Sequence, residues 1–205
     1  MDNLINETLW NQFGASIDML ERAIAMCPDE FWDTEDEFWY SAYHCLFYLD
    51  YYLTLDPAGY VSPAPFSNSE AEDRRPERTY TKAELLAYLQ ASRMKCHDLI
   101  AGLTEERMRM RWVNPWKDYS LFEMLLYNMR HVQHHTAQLN RLLRLRIDKA
   151  PGWVGRTDVP LSRKGAKSFG KRLRPDLSGG NFKALFEAIE REQESRGDTL
   201  TRKSR

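Results

Sequence analysis

Cysteine is scarce in this chain of 205 residues: Cys27, Cys45 and Cys96 lie far apart and form no CxxC pair. That spacing argues against both a disulfide framework and a thiolate zinc site, and points to a reducing, cytoplasmic compartment. Long apolar runs are also missing, so no segment is expected to span a bilayer. Near the amino terminus, Asp2 and Glu7 stand where a secretory leader would place basic residues ahead of an apolar run, and no signal peptide is expected. Basic residues are almost absent between Asp2 and Glu37, where Arg22 stands alone among acids. The balance reverses between Arg156 and Arg174: Arg163, Lys164, Lys167, Lys171 and Arg172 accompany a single acid, Asp158. This basic run lacks the regular aromatic interleaving of a stacking platform. With a formal net charge of −1 there is no global reason to expect nucleic acid or an anionic membrane as a partner.

Aromatic residues are plentiful, with Trp39, Tyr40, Tyr43, Phe47, Tyr48, Tyr51 and Tyr52 falling in one short stretch. The 42% hydrophobic share is that of a globular protein able to bury a core. Almost nothing reads as a strand, whereas four stretches have helical length and period. Leu9, Phe13, Ile17, Leu20 and Ile24 recur at three- and four-residue steps in a helix expected over 4–26, stopped by Pro28. A second, over 36–54, is apolar nearly all round and therefore buried on most sides. Thr81 with Glu84, and Ser120 with Glu123, form two capping boxes that open helices expected over 81–103 and 120–146. Four such helices bury their apolar faces most simply in an all-α, antiparallel up-and-down four-helix bundle. The bundle is assigned to residues 1–155 and a basic, partly irregular extension to 156–205, with a short amphipathic helix near Phe182 to Glu192. Residues 57–80, carrying Pro63, Pro65 and Pro76, are too many for an ordinary connection and are either disordered or a functional lid.

Histidine is equally sparse, and three of the five crowd onto the last long helix. With each residue turning the helix by about 100°, His131 and His135 share one flank of the apolar stripe centred on Val132, and His134 faces solvent. An i, i+4 pair places two imidazoles one turn apart on a single face, the spacing a helix uses to chelate a metal. A third ligand could come from the second helix, where Glu37, Ser41 and His44 draw a thin polar line along one face. Taken on spacing alone, an HxxxH pair is more often packed or solvated than metal-bound, and His44 alone reads as the edge of a buried helix. His97 reads as structural or solvent-facing, and Met108, Met124 and Met129 as core filler.

The run from His131 through His135 and Gln138 to Arg144 resembles the last-helix signature of DinB-like (DinB/YfiT) proteins: a histidine, three residues, a second histidine, two small residues and a glutamine. Pro151-Gly152-Trp153 is similar to the pattern that follows this helix in the family. The resemblance covers roughly residues 1–155. It departs at Ala137, where glycine is usual, and at Val132, where glutamate is frequent. It implies a bundle fold and one divalent transition metal held by His44, His131 and His135, zinc or nickel first, with iron, cobalt or manganese as alternatives. Glu37 and Gln138 are the expected hydrogen-bond partners of the ligands.

Family members of known activity use the metal to activate a thiol or a water. The resemblance therefore implies an S-transferase or hydrolase acting on a small molecule, with a low-molecular-weight thiol as a candidate cofactor. The HxxxH here lacks the glutamate of HExxH, which disfavours a zincin-type protease. A reading from a different class is a non-catalytic, metal-binding stress-response homodimer in which the ion only stabilises the bundle.

Overall fold

The computed structural model describes residues 2–161. The expected helix at 182–192 and most of the basic run lie outside the described residues.

Helix α1 (Asp2–Met26) buries Leu9, Phe13, Ile17, Leu20 and Ile24 at the anticipated spacing, with Trp10 buried beside them. After the single turn α2 (Asp29–Trp32), helix α3 (Phe38–Tyr52) buries residues on most of its circumference, including Phe38, Ala42, Tyr43, Leu46, Phe47 and Leu49. Helix α4 (Lys82–Ala101) opens on Thr81, whose hydroxyl accepts from Glu84 N while the Glu84 carboxylate accepts from Thr81 N. Such a reciprocal cap contributes about 1 kcal/mol. Helix α6 (Leu121–Ile147) opens on the half of its box made by Ser120 Oγ and Glu123 N. Met124 is fully buried, and Met108 and Met129 pack against the core.

The expected all-α bundle is present, but its helix directions correct the plain up-and-down alternation. Each long helix packs chiefly against two others, α1 against α4 and α6, and α3 against the same pair. Asn6 near the start of α1 bonds Leu103 O just past the end of α4, and Lys82 at the start of α4 pairs with Asp29 just past the end of α1, so these two are antiparallel. Arg146 near the end of α6 pairs with Asp36 just ahead of α3, so these are antiparallel too. Tyr43 meets Tyr80 while Asp50 further along α3 meets Lys95 further along α4, which makes α3 and α4 parallel. The four run up, down, down, up.

A parallel neighbour cannot be reached by a tight turn, because the chain must first travel back along the bundle. α3 alone is about 22 Å long at 1.5 Å per residue. This is the physical reason for the long connection between α3 and α4, and that connection is packed. Phe66 is buried, stacked on Tyr88 at 4.4 Å between ring centroids, and Tyr43 donates its hydroxyl proton to Ser67 O at 2.8 Å. Residues 69–72 form a single 3-10 turn that lies against α3.

Between α4 and α6 the chain adds a short helix, α5 (Glu105–Arg109), and a hairpin that periodicity did not reveal, β1 (Arg111–Asn114) with β2 (Lys117–Ser120). Asn114 Oδ1 accepts from the backbone N–H groups of Trp116 and Lys117 and so closes the turn. Trp112 is buried, and its indole donates to Thr54 O at 2.8 Å, fastening the hairpin to the end of α3. After α6, residues 151–161 lie against α1: Thr157 N donates to Asn11 O, and Trp10 Nε1 to Val159 O at 2.6 Å. Gly14 permits this approach, since a Cβ there would meet Thr157 Cγ2 at 2.7 Å. The first residues of the extension are therefore packed on the bundle. No helix among the described residues is long and apolar enough to cross a membrane.

Candidate metal centre

The antiparallel contact of α3 with α6 brings one histidine of α3 against two of α6. His44, His131 and His135 each offer a nitrogen, and these atoms lie within 4.8 Å of one another. Ring centroids are 4.4 Å apart for His131 and His135, 4.8 Å for His44 and His135, and 5.7 Å for His44 and His131. Three nitrogens on one zinc-sized ion at about 2.1 Å would be roughly 3.4 Å apart, a closure within reach of small side-chain rotations.

The hydrogen bonding fits a metal ion. His44 Nδ1 lies 2.7 Å from Glu70 Oε2, on the 3-10 turn of the long connection. A carboxylate only accepts, so Nδ1 carries the proton and Nε2 is the nitrogen that would meet a metal. This is the carboxylate–histidine arrangement that orients imidazoles toward metals. Glu70 itself is buried, with 4% of its side chain exposed, whereas His44 keeps 31%. The Tyr40 hydroxyl also faces Glu70; burial first, then that contact, push the phenol up to about 12.

The two histidines of α6 are held neutral. Burial, reinforced by His135 and His44, pushes His131 down to about 3. Burial, reinforced by His44 and His134, pushes His135 down to about 4. His131 Nδ1 is also buried without a hydrogen-bond partner. An unmet buried polar atom costs about 1–3 kcal/mol, and a dication coordinated at that nitrogen would relieve such a deficit. Around the cluster stand Tyr48 and Tyr52, with ring centroids 5.6 and 5.8 Å from His131.

The remaining residues singled out in the sequence lie as follows. Glu37 is not at the cluster: it adopts a left-handed conformation (φ 55°) ahead of α3 and pairs with Arg75. Gln138 lies 3.2 Å from His134 Nε2 and also hydrogen-bonds His135, raising its pKa against the larger effect of burial. His134 is exposed. His97 is buried on the far side of the bundle, edge-on to Trp10 at 4.9 Å between rings, with Nε2 3.4 Å from Pro160 O. Glu70 escaped the sequence reading because it lies 26 residues from His44 in an aperiodic segment. Its only advance signal was an acid within a connection too long to be a simple turn.

If Glu70 orients His44, Glu70→Gln keeps the shape and removes the charge. Zinc affinity in competition with a chelator is expected to fall about tenfold. An unchanged affinity would show that the carboxylate does not act on the ligand.

A helical bundle with three converging imidazoles and a carboxylate behind one of them defines a class of candidate metal-binding bundle proteins. The chain belongs to the DinB superfamily, whose family model matches residues 12–139. Comparison with curated proteins and with solved structures gives no match.

Proposed function

We propose that His44, His131 and His135 hold one divalent transition metal, zinc or nickel by ligand chemistry, and that the site activates a thiol or a water toward a small molecule. The observation that carries this reading is the convergence of the three rings with Glu70 behind His44. When bound, a dication supplies Lewis acidity that lowers the pKa of a coordinated thiol or water.

The chain's own residues set the rest. Three protein ligands leave a coordination position, and the exposed part of His44 gives it a route to solvent. Tyr48 and Tyr52 wall the inner side. Position 132, where HExxH would place its glutamate, is a fully buried valine, and Glu70 is engaged with His44. Among the described residues, the carboxylate that touches the cluster is thus committed to a ligand, which favours nucleophiles that the ion itself can acidify.

A second reading, that an ion only clips α3 to α6, is favoured by the same placement of ligands on two helices. Cobalt(II) separates the two. In the activation reading, a small thiol such as 2-mercaptoethanol adds a thiolate charge-transfer band to the cobalt spectrum and shifts its visible bands. A sealed, structural site binds cobalt and leaves the spectrum indifferent to thiol.

A further inference from the structure

Lys117 is the one part of the hairpin that reaches the groove between α3 and α6 carrying a charge without a counter-charge. Its Nζ lies 5.3 Å from the centre of the Tyr127 ring and 5.5 Å from that of Tyr52. Among the described residues it forms no ion pair and its ammonium makes no hydrogen bond. The adjacent acid, Asp118, is taken by Arg111 at 2.6 Å. Yet the side chain is only partly exposed, so water solvates the charge incompletely.

The two rings under Lys117 lead directly to the histidines. Tyr127 lies one turn before His131 on α6, a rise of about 6 Å. Tyr52 touches His131 edge-on at 5.8 Å between centroids. The position is fixed by the hairpin: Trp112 bonds the end of α3, and Asn114 closes the turn while its Nδ2 reaches the Tyr51 hydroxyl at 3.2 Å.

The charge balance follows. The three imidazoles are neutral ligands, Glu70 contributes one negative charge, and Lys117 contributes one positive. A dication at the cluster therefore leaves an excess of about two positive charges in a partly buried groove. A coordinated thiolate or hydroxide offsets one of them, and a second negative group on the same molecule offsets the other.

We propose that Lys117 is a specificity-determining residue of the three-histidine site, which takes small molecules carrying a carboxylate or phosphate-type anion a few ångströms from the reacting atom. This inference rests on the metal reading above.

The test uses cobalt-loaded full-length protein and four thiols of matched length: 3-mercaptopropionate, its phosphonate analogue, the neutral 3-mercaptopropionamide and the cationic 3-mercaptopropylamine. Dissociation constants are read from the cobalt absorption bands in the parent protein, Lys117→Met and Lys117→Arg. The parent is expected to favour an anionic thiol over the amide by about tenfold, as a partly exposed ion pair allows. Lys117→Met should reduce that preference to near unity with cobalt content and amide binding unchanged, and Lys117→Arg should keep it. The two anionic arms tell carboxylate from phosphate-type recognition. Equal preference in the parent and Lys117→Met overturns the inference, as does a parent indifferent to charge or a cobalt spectrum that none of the thiols disturbs. Failure of cobalt to bind at all overturns the metal reading and this inference with it, an outcome visible before any thiol is added.

Discussion

His131→Ala is expected to weaken zinc binding by more than about 100-fold, exceeding the loss from any residue that merely orients a ligand. His44→Ala and His135→Ala should behave alike, because among the described residues these three imidazoles, on two helices, make up the candidate ligand cluster. The controls are chosen by position. His134 lies one residue from His135 and its ring comes within 5.1 Å, but it is exposed and its Nε2 meets Gln138. His134→Ala should leave zinc content unchanged. His97→Ala should also leave it unchanged while lowering the melting temperature, since it empties a buried position beside Trp10. Metal analysis of the purified variants checks all five. Loss of metal in His134→Ala would mean that His131 has a different partner.

The second large effect lies in stability, at Arg93. This residue is 4% exposed on α4, and its guanidinium donates to Asp18 Oδ1 and Glu21 Oε2 of α1, both at 2.8 Å, and to Gln90 at 3.0 Å. Arg93→Ala leaves these acids without their cation and opens a cavity, at a cost of about 3 kcal/mol. The deficit should depend on pH. Burial raises Asp18 above its ordinary value, with Arg93 opposing that rise; removing Arg93 raises it further. A carboxyl with a raised folded-state pKa takes up protons before its unfolded counterpart as pH falls. The native state then binds more protons, and unfolding free energy grows on acidification. The gap between Arg93→Ala and the parent should therefore narrow as pH falls from 7 toward the raised pKa of Asp18. Denaturant melts across that range test the sign, and a gap that widens on acidification would contradict the assignment.

The long helices were legible because each repeats an apolar position every three or four residues over several turns. Thr81 with Glu84 marked a start that the structure reproduces bond for bond. The start of α3 was placed a little early because Glu37, in the left-handed conformation, ends helical geometry without any side-chain cap to announce it. Helix direction was not legible from periodicity, which is the same read either way along a bundle. The length of the α3–α4 connection carried that information, since a parallel pair needs a crossover and an antiparallel pair does not. The hairpin was missed because a four-residue strand with one buried residue, Trp112, is too short to display an alternation.

The histidine phase on α6 was legible for a simpler reason. A single rigid helix fixes which residues share a face, so His131 with His135, and the exposure of His134, follow from spacing. Contacts made by chain far away in sequence have no such signal. Glu70 reaches His44 from an aperiodic connection, and Lys117 reaches the groove from a hairpin anchored elsewhere. Both are set by tertiary packing.

The central claim is that one ion sits on three imidazoles with a position left for a small molecule. X-ray absorption on the zinc-loaded protein tests it most directly. The account predicts three imidazole nitrogens at about 2.0–2.1 Å with one further light-atom ligand not supplied by protein, and loss of one imidazole contribution in His44→Ala. Sulfur from Cys27, Cys45 or Cys96 in the first coordination shell, or a shell of oxygens without imidazole scattering, would contradict it.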